Sequence, residues 1–195
     1  MTDDKADDEL EALMAQAEKH PKLAWLTIMM RLNKAYENES DRAAALLAAA
    51  MLDFQFGEVL SGLMVDDKVV REELLESSRP LGTFSARINL LFALGYMPPY
   101  IHRAAHQVRK IRNEFAHQPS VLDFSSPPIA ARCRSLFDDF EEAIPEDTKP
   151  PRARYLAAVS VCLIAVRFAT VKFPRPVVPI NFGFRIVLPT PGATS

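Results

Sequence analysis

At 195 residues the chain is the size of one domain, and with 49% hydrophobic residues, 25% charged residues and six glycines it carries too much core material for a disordered chain. The formal net charge of −2 excludes a whole-molecule field that draws in nucleic acid or an anionic membrane, so any phosphate binding has to come from a local patch. Cys133 and Cys162, the two cysteines, fall on separate predicted helices. They are too few for a secreted disulfide scaffold and too far apart for a zinc site, and both are expected as small buried apolar residues.

The N-terminus opens acidic, with Asp3, Asp4, Asp7, Asp8, Glu9 and Glu11, which suits a first helical turn or a solvated tail. It lacks a basic start followed by an apolar run, so no secretion signal is expected and the cytoplasm is the default compartment. Leu10, Leu13, Met14 and Ala17 make one stripe over residues 3–20. Pro21 stands where a first helical turn tolerates proline, and Leu23, Leu26, Ile28, Met29 and Leu32 carry a second stripe to about Tyr36. Ser40 sets a side-chain oxygen ahead of the Ala/Leu-rich run 43–65, where orphan amides need an acceptor. Asp66 or Asp67 caps a short helix through Leu75, closed by Ser77, Ser78 and Pro80. Thr83 then opens a helix that ends near Gly95.

Pro98 and Pro99 begin a helix running to about His117, followed by a loop through Pro119 and the Ser125-Ser126-Pro127-Pro128 cluster. Helices are predicted over 129–143 and 152–173, with Pro145, Pro150 and Pro151 marking the linker between them. Residues 155–166 are apolar apart from Ser160. That run falls short of the ~18–20 residues a bilayer needs and is flanked by Arg152, Arg154, Arg167 and Lys172, so it reads as the buried centre of a bundle and no membrane is expected. In the tail Ile180, Phe182, Phe184, Ile186 and Leu188 alternate with other residues at the period of a half-buried strand. A lone strand has nothing to pair with, so the expectation is an extended, Pro-flanked arm that lies in a groove of its own bundle or wraps a second copy. The reading is an all-α, single-domain bundle of seven to eight helices: N-terminal helices over 1–38, a core over 39–173 and an arm over 174–195. A homodimer is expected.

The helix over 99–117 carries the chemistry. At about 100° per residue, His102, His106, Arg109, Asn113 and His117 share an arc of about 80°, opposite the apolar Ile101, Ala104, Val108, Ile111 and Phe115. Arg112 sits on the apolar shoulder, where an unpaired charge costs several kcal/mol, so an internal salt bridge to Asp41, Asp53 or Glu114 is expected. His102 and His106 have the spacing of a helical metal pair. No glutamate follows the first histidine and no third ligand is evident, so neither metal nor cofactor is assigned. Residues 81–85 read as a helix cap on Thr83 or Ser85 and not as a phosphate loop. Arg42 and Arg87 each occupy a first helical turn, where the dipole disfavours a cation. Each answers a buried carboxylate such as Asp53 or Glu58, or else converges with Arg112 on an anion pocket. The candidates for anion or partner binding are therefore Arg42, Arg87, His102, His106 and Arg109.

Arg112-Asn113-Glu114-Phe115-Ala116-His117 resembles the signature of the HEPN superfamily, an arginine, a polar residue and a histidine four to six residues beyond. In its nucleolytic members the resemblance implies metal-independent RNA cleavage across a dimer, with Arg112 steadying phosphate, His117 moving protons and Asn113 orienting them. A longer resemblance spans about 39–140. Glu39-Ser40-Asp41-Arg42 leading into 43–60, Val65-Asp66-Asp67-Lys68-Val69-Val70, Leu81-Gly82-Thr83-Phe84-Ser85-Ala86-Arg87-Ile88 and Ile111 to His117 are similar, in order, to the MtlR family of mannitol operon repressors. That resemblance implies an all-helical transcriptional regulator of sugar-alcohol uptake genes without an evident DNA-binding domain. The sequence agrees, since no pair of short helices offers a basic recognition helix. Direct DNA binding is not expected, and a protein partner is. Two readings stand: a regulator without catalysis, and a HEPN-type protein that binds or cuts RNA through Arg112, Asn113 and His117.

Overall fold

The computed structural model describes residues 34, 36, 38–118, 122–138 and 150–172. The expected helices before Glu39, apart from the helical Lys34 and Tyr36, and the arm over 174–195 lie outside them. The described residues form six α-helices and one 3-10 turn, with no strand. These are α1 (Asp41–Leu63), α2 (Lys68–Leu75), α3 (Phe84–Ala93), α4 (Pro99–His117), α5 (Pro127–Arg134), the turn Ser135–Phe137 and α6 (Pro151–Lys172). Seven to eight were expected for the whole chain, two of them ahead of Glu39.

Local chemistry starts the helices where the sequence places its caps. Ser40 Oγ accepts from Ala43 N at 3.2 Å, Asp67 Oδ1 from Val70 N at 3.1 Å and Thr83 Oγ1 from Ala86 N at 3.2 Å, each satisfying an orphan amide of a first turn. Proline occupies the first turn of α4 and of α5, where its missing N–H costs nothing. Gly95 ends α3 at φ 78°, and the next amide, Tyr96 N, reaches back to Leu91 O at 3.0 Å, as left-handed closure requires. The helix expected over 129–143 stops at Arg134. Ser135 Oγ there takes the carbonyl of Arg132 at 3.0 Å, and the chain tightens into the 3-10 turn.

α1 and α6 lie side by side and run in the same direction, because Asp41 meets Arg152, Ala45 meets Tyr155 and Gln55 meets Arg167 in register. Ala44, Ala45, Ala48 and Ala49 on the inner face of α1 are buried. Their small side chains let the Tyr155 ring insert and donate its hydroxyl to Ala45 O at 2.8 Å. α4 packs across both helices, adding Ile101, Val108, Ile111 and Phe115 to a core with Leu52, Phe56, Leu60 and Val166. Each such large side chain contributes about 1.5–3 kcal/mol on burial. By length and composition α1 and the segment Pro151–Thr170 are apolar enough to cross a membrane. In this bundle each lays one face in the shared core.

The cations flanking the apolar centre of α6 turn out to tie helices together. Arg152 pairs with Asp41 Oδ1 at 2.7 Å and also donates to the carbonyl of Tyr36. Arg154, 5% exposed, donates to Arg134 O at 3.2 Å, where the C-terminal carbonyls of α5 favour a cation. Arg167 holds Gln55 Oε1 at 2.8 Å.

Candidate functional site

The polar side of α4 meets α3 in a small, well-defined cluster. His102 Nε2 and His106 Nε2 lie 3.0 and 2.9 Å from the same atom, Asn89 Oδ1. An amide oxygen only accepts, so both ring nitrogens donate, and each neutral imidazole keeps its lone pair on Nδ1. The two rings meet edge to face at 4.6 Å, and Phe92 stacks on His102 at 4.3 Å. Burial and the neighbouring Arg103 hold His102 below its ordinary pKa. Burial, His102, Arg109 and Lys110 do the same to His106. The imidazoles lie opposite the apolar side of α4, as the periodicity predicts, yet are half-buried against α3 because Asn89 and Phe92 meet them there. Asn89 and Phe92 are the residues that sequence reading missed. The available signal was a lone amide in the otherwise apolar second half of α3.

Arg112 makes no internal salt bridge among the described residues. Its three expected partners belong to other arginines: Asp53 to Arg87 at 2.9 Å, Asp41 to Arg152 at 2.7 Å and Glu114 to Arg132 at 2.6 Å. The last is a pairing of charges without the alignment of a hydrogen bond at Arg132 Nε. Arg112 is half-buried and donates to Asn113 Oδ1 at 3.0 Å. His117 is exposed at the end of α4, about 140° around the helix from Arg112 by the same geometry, so one chain does not aim the two at a common point.

Arg42, Arg87 and Arg112 do not converge. Arg42 gives Nη1 to Phe115 O and Nη2 to Gln118 O, both at 2.8 Å, and so closes the C-terminal end of α4. Arg87 donates to Leu81 O at 2.9 Å, Asp53 Oδ1 at 2.9 Å, Asp53 O at 3.1 Å and Leu75 O at 2.8 Å. Asp53 is eleven residues beyond Arg42 on α1, roughly 16 Å at the helical rise. Both guanidinia are turned to main-chain carbonyls, with one carboxylate at Arg87, so each ties helices together at a separate place. Asp53 itself has its pKa raised by burial, against the opposing pull of Arg87. Gly57 leaves the guanidinium room to reach α1, since a Cβ there would stand 3.1 Å from Arg87 Nη1.

Other features carry less. A cleft of about 280 Å³ between α1 and α2 is lined by Phe54, Glu58, Arg71, Glu72, Leu75 and Arg87, among others, but Arg71 is engaged by Asp66 at 2.5 Å. Burial pushes the Cys133 and Cys162 thiols up to about 12, which leaves them unreactive. On the side of α1 and α6 away from the core, Leu47, Phe54 (60% exposed), Ile164 and Phe168 (64% exposed) form apolar outer faces.

Residues 32–153 match the family model MtlR, described as mannitol repressor. Among solved structures, a chain in the X-ray structure of the MtlR-HPr complex from Escherichia coli shares the fold with a TM-score of 0.54 and 18% sequence identity, over 72% of this chain and 96% of that one. No curated protein sequence matches the chain.

Proposed function

The chain belongs to the MtlR family of mannitol repressors, and from that premise we propose that it is a transcriptional regulator of sugar-alcohol uptake genes that works by binding a protein partner. The observation that carries the reading is the family match over 32–153, which spans most of the helices that build the core. The fold's likeness to a chain from an MtlR-HPr complex supports a partner of the HPr kind. Direct DNA reading finds little support, because Arg42, Arg87 and Arg152 are spent on carbonyls and carboxylates and no described helix pair offers a basic recognition helix. The protein acts in the cytoplasm as a homodimer. The exposed Leu47, Phe54, Ile164 and Phe168 support that pairing as apolar surface for a second copy to cover. The roles of His102, His106 and Arg109 belong to partner binding.

Expression of the chain in a bacterium deleted for its own mannitol repressor is expected to lower transcription of the mannitol operon. Incubation of the pure protein with structured RNA is expected to leave the RNA intact. Cleavage by wild type that folded Arg112→Ala and His117→Ala variants both lose would overturn the regulatory reading. Sedimentation equilibrium is expected to give a dimer that Phe54→Asp weakens, and a monomer at all concentrations would remove the dimer from the account.

A further inference from the structure

Between Glu76 and Glu114 the chain carries no acidic side chain at all, so its 25 Asp and Glu residues lie elsewhere. The same stretch holds Arg79, Arg87, Arg103, Arg109, Lys110 and Arg112 together with His102 and His106. It folds into α3 and α4, and Arg87 is turned away to Asp53. On the opposite side Lys110 is exposed, Arg109 is half-buried, and Arg109 Nε is buried with no hydrogen-bond partner among the described residues. Beside them Phe92, an aromatic ring 39% exposed, stacks on His102.

We propose that the face built by Asn89 and Phe92 of α3 with His102, His106, Arg109 and Lys110 of α4 is the docking site for an acidic segment of the protein partner. This rests on the reading that the chain works through such a partner, and it names the chemistry the partner must bring. The shared acceptor is the deciding feature. Asn89 Oδ1 already takes the Nε2–H of both imidazoles. A further proton on either Nδ1 therefore creates a cationic donor that nothing in the cluster can satisfy. A carboxylate arriving from outside supplies both the acceptor and the charge, with Lys110 and Arg109 beside it and Phe92 as an apolar rest for its methylenes.

Among the described residues the charged groups facing the imidazoles are Arg103, Arg109 and Lys110, all on α4, and all resist protonation of the rings. α3 adds no charge there, since Arg87 faces Asp53. The carboxylates at the other sides of α4, namely Asp41, Asp53 and Glu114, are each paired with an arginine. The free site therefore takes protons less readily than ordinary imidazoles and takes them up when an acid binds, so affinity rises as pH falls, by at most about tenfold per pH unit for each linked proton. A long nucleic-acid polyanion is disfavoured by the net charge of −2, whereas a short acidic segment meets only the basic face.

The test uses the full chain with fluorescently labelled hexaglutamate at pH 8 and pH 6, followed by anisotropy, with the four histidine signals titrated by NMR. Hexaglutamate stays ionised across this range. Binding is expected to be at least about fivefold tighter at pH 6, with two of the four imidazole titrations moving upward on binding. Lys110→Glu is expected to weaken binding at both pH values. A His102→Gln/His106→Gln double variant, shown to be folded by circular dichroism, is expected to bind no tighter at pH 6 than at pH 8. Absence of hexaglutamate binding at pH 6, or the same gain in the double variant, overturns the proposal. So does tighter binding of an oligouridylate of equal charge, which assigns the face to nucleic acid. If HPr binds while hexaglutamate does not, this inference alone fails. If hexaglutamate binds and no protein partner does, the broader reading fails.

Discussion

Two clusters touch α3 and differ in how their polar groups are answered. At the Arg87 junction one guanidinium meets four acceptors from α1, α2 and the turn before α3. At the His102–His106 face two imidazoles share a single amide oxygen, and cations crowd around them with no carboxylate among the described residues. The first is saturated and holds the fold. The second is short of acceptors and is suited to receive one. Residue type does not separate the two clusters; the count of available acceptors does.

The largest expected effect is at the saturated junction. Arg87→Ala leaves Asp53 half-buried and three carbonyls without their donor, which is expected to cost about 3 kcal/mol in denaturant unfolding. Arg87→Lys is expected to recover little, because an ammonium cannot span the same fork of acceptors. A loss under about 1 kcal/mol in Arg87→Ala would show that the junction is not structural. Next, Gly57→Ala sets a methyl 3.1 Å from a guanidinium pinned on every side and is expected to cost roughly 1–2 kcal/mol; an unchanged midpoint would show that Arg87 is free to shift.

The smallest effect is at the open face. Unfolded histidines protonate near their ordinary value of 6.5, while folded His102 and His106 resist it. Below that pH the unfolded state binds more protons, so the stability these groups contribute is present above pH 6.5 and is lost as pH falls below it. Unfolding followed from pH 7.5 to 5.5 is expected to show this decline in wild type and a shallower one in His102→Gln/His106→Gln. Equal slopes would contradict the geometry of the cluster.

Much of the fold was legible because it depends on near neighbours. Ser40, Asp67 and Thr83 cap the helices they precede, and the apolar positions of α4 are the ones buried. The end of α5 was missed because a half-buried serine donates to a carbonyl three residues back, which no hydrophobic period signals. The site was less legible, because its partners come from distant parts of the chain. Arg112 was rightly placed on the shoulder of α4, yet each carboxylate assigned to it was already held by Arg87, Arg152 or Arg132. Periodicity gives a side chain its angle about one helix and says nothing of which competitor arrives from another. Asn89 went unread for the same reason: its role exists only where α3 crosses His102 and His106.

The account rests most heavily on a protein partner in place of DNA. Calorimetric titration of the pure chain with HPr, and in parallel with mannitol operator DNA, addresses this directly. The account expects saturable heat with HPr and none with the operator at the same ionic strength, whereas saturable operator binding with no response to HPr would contradict it.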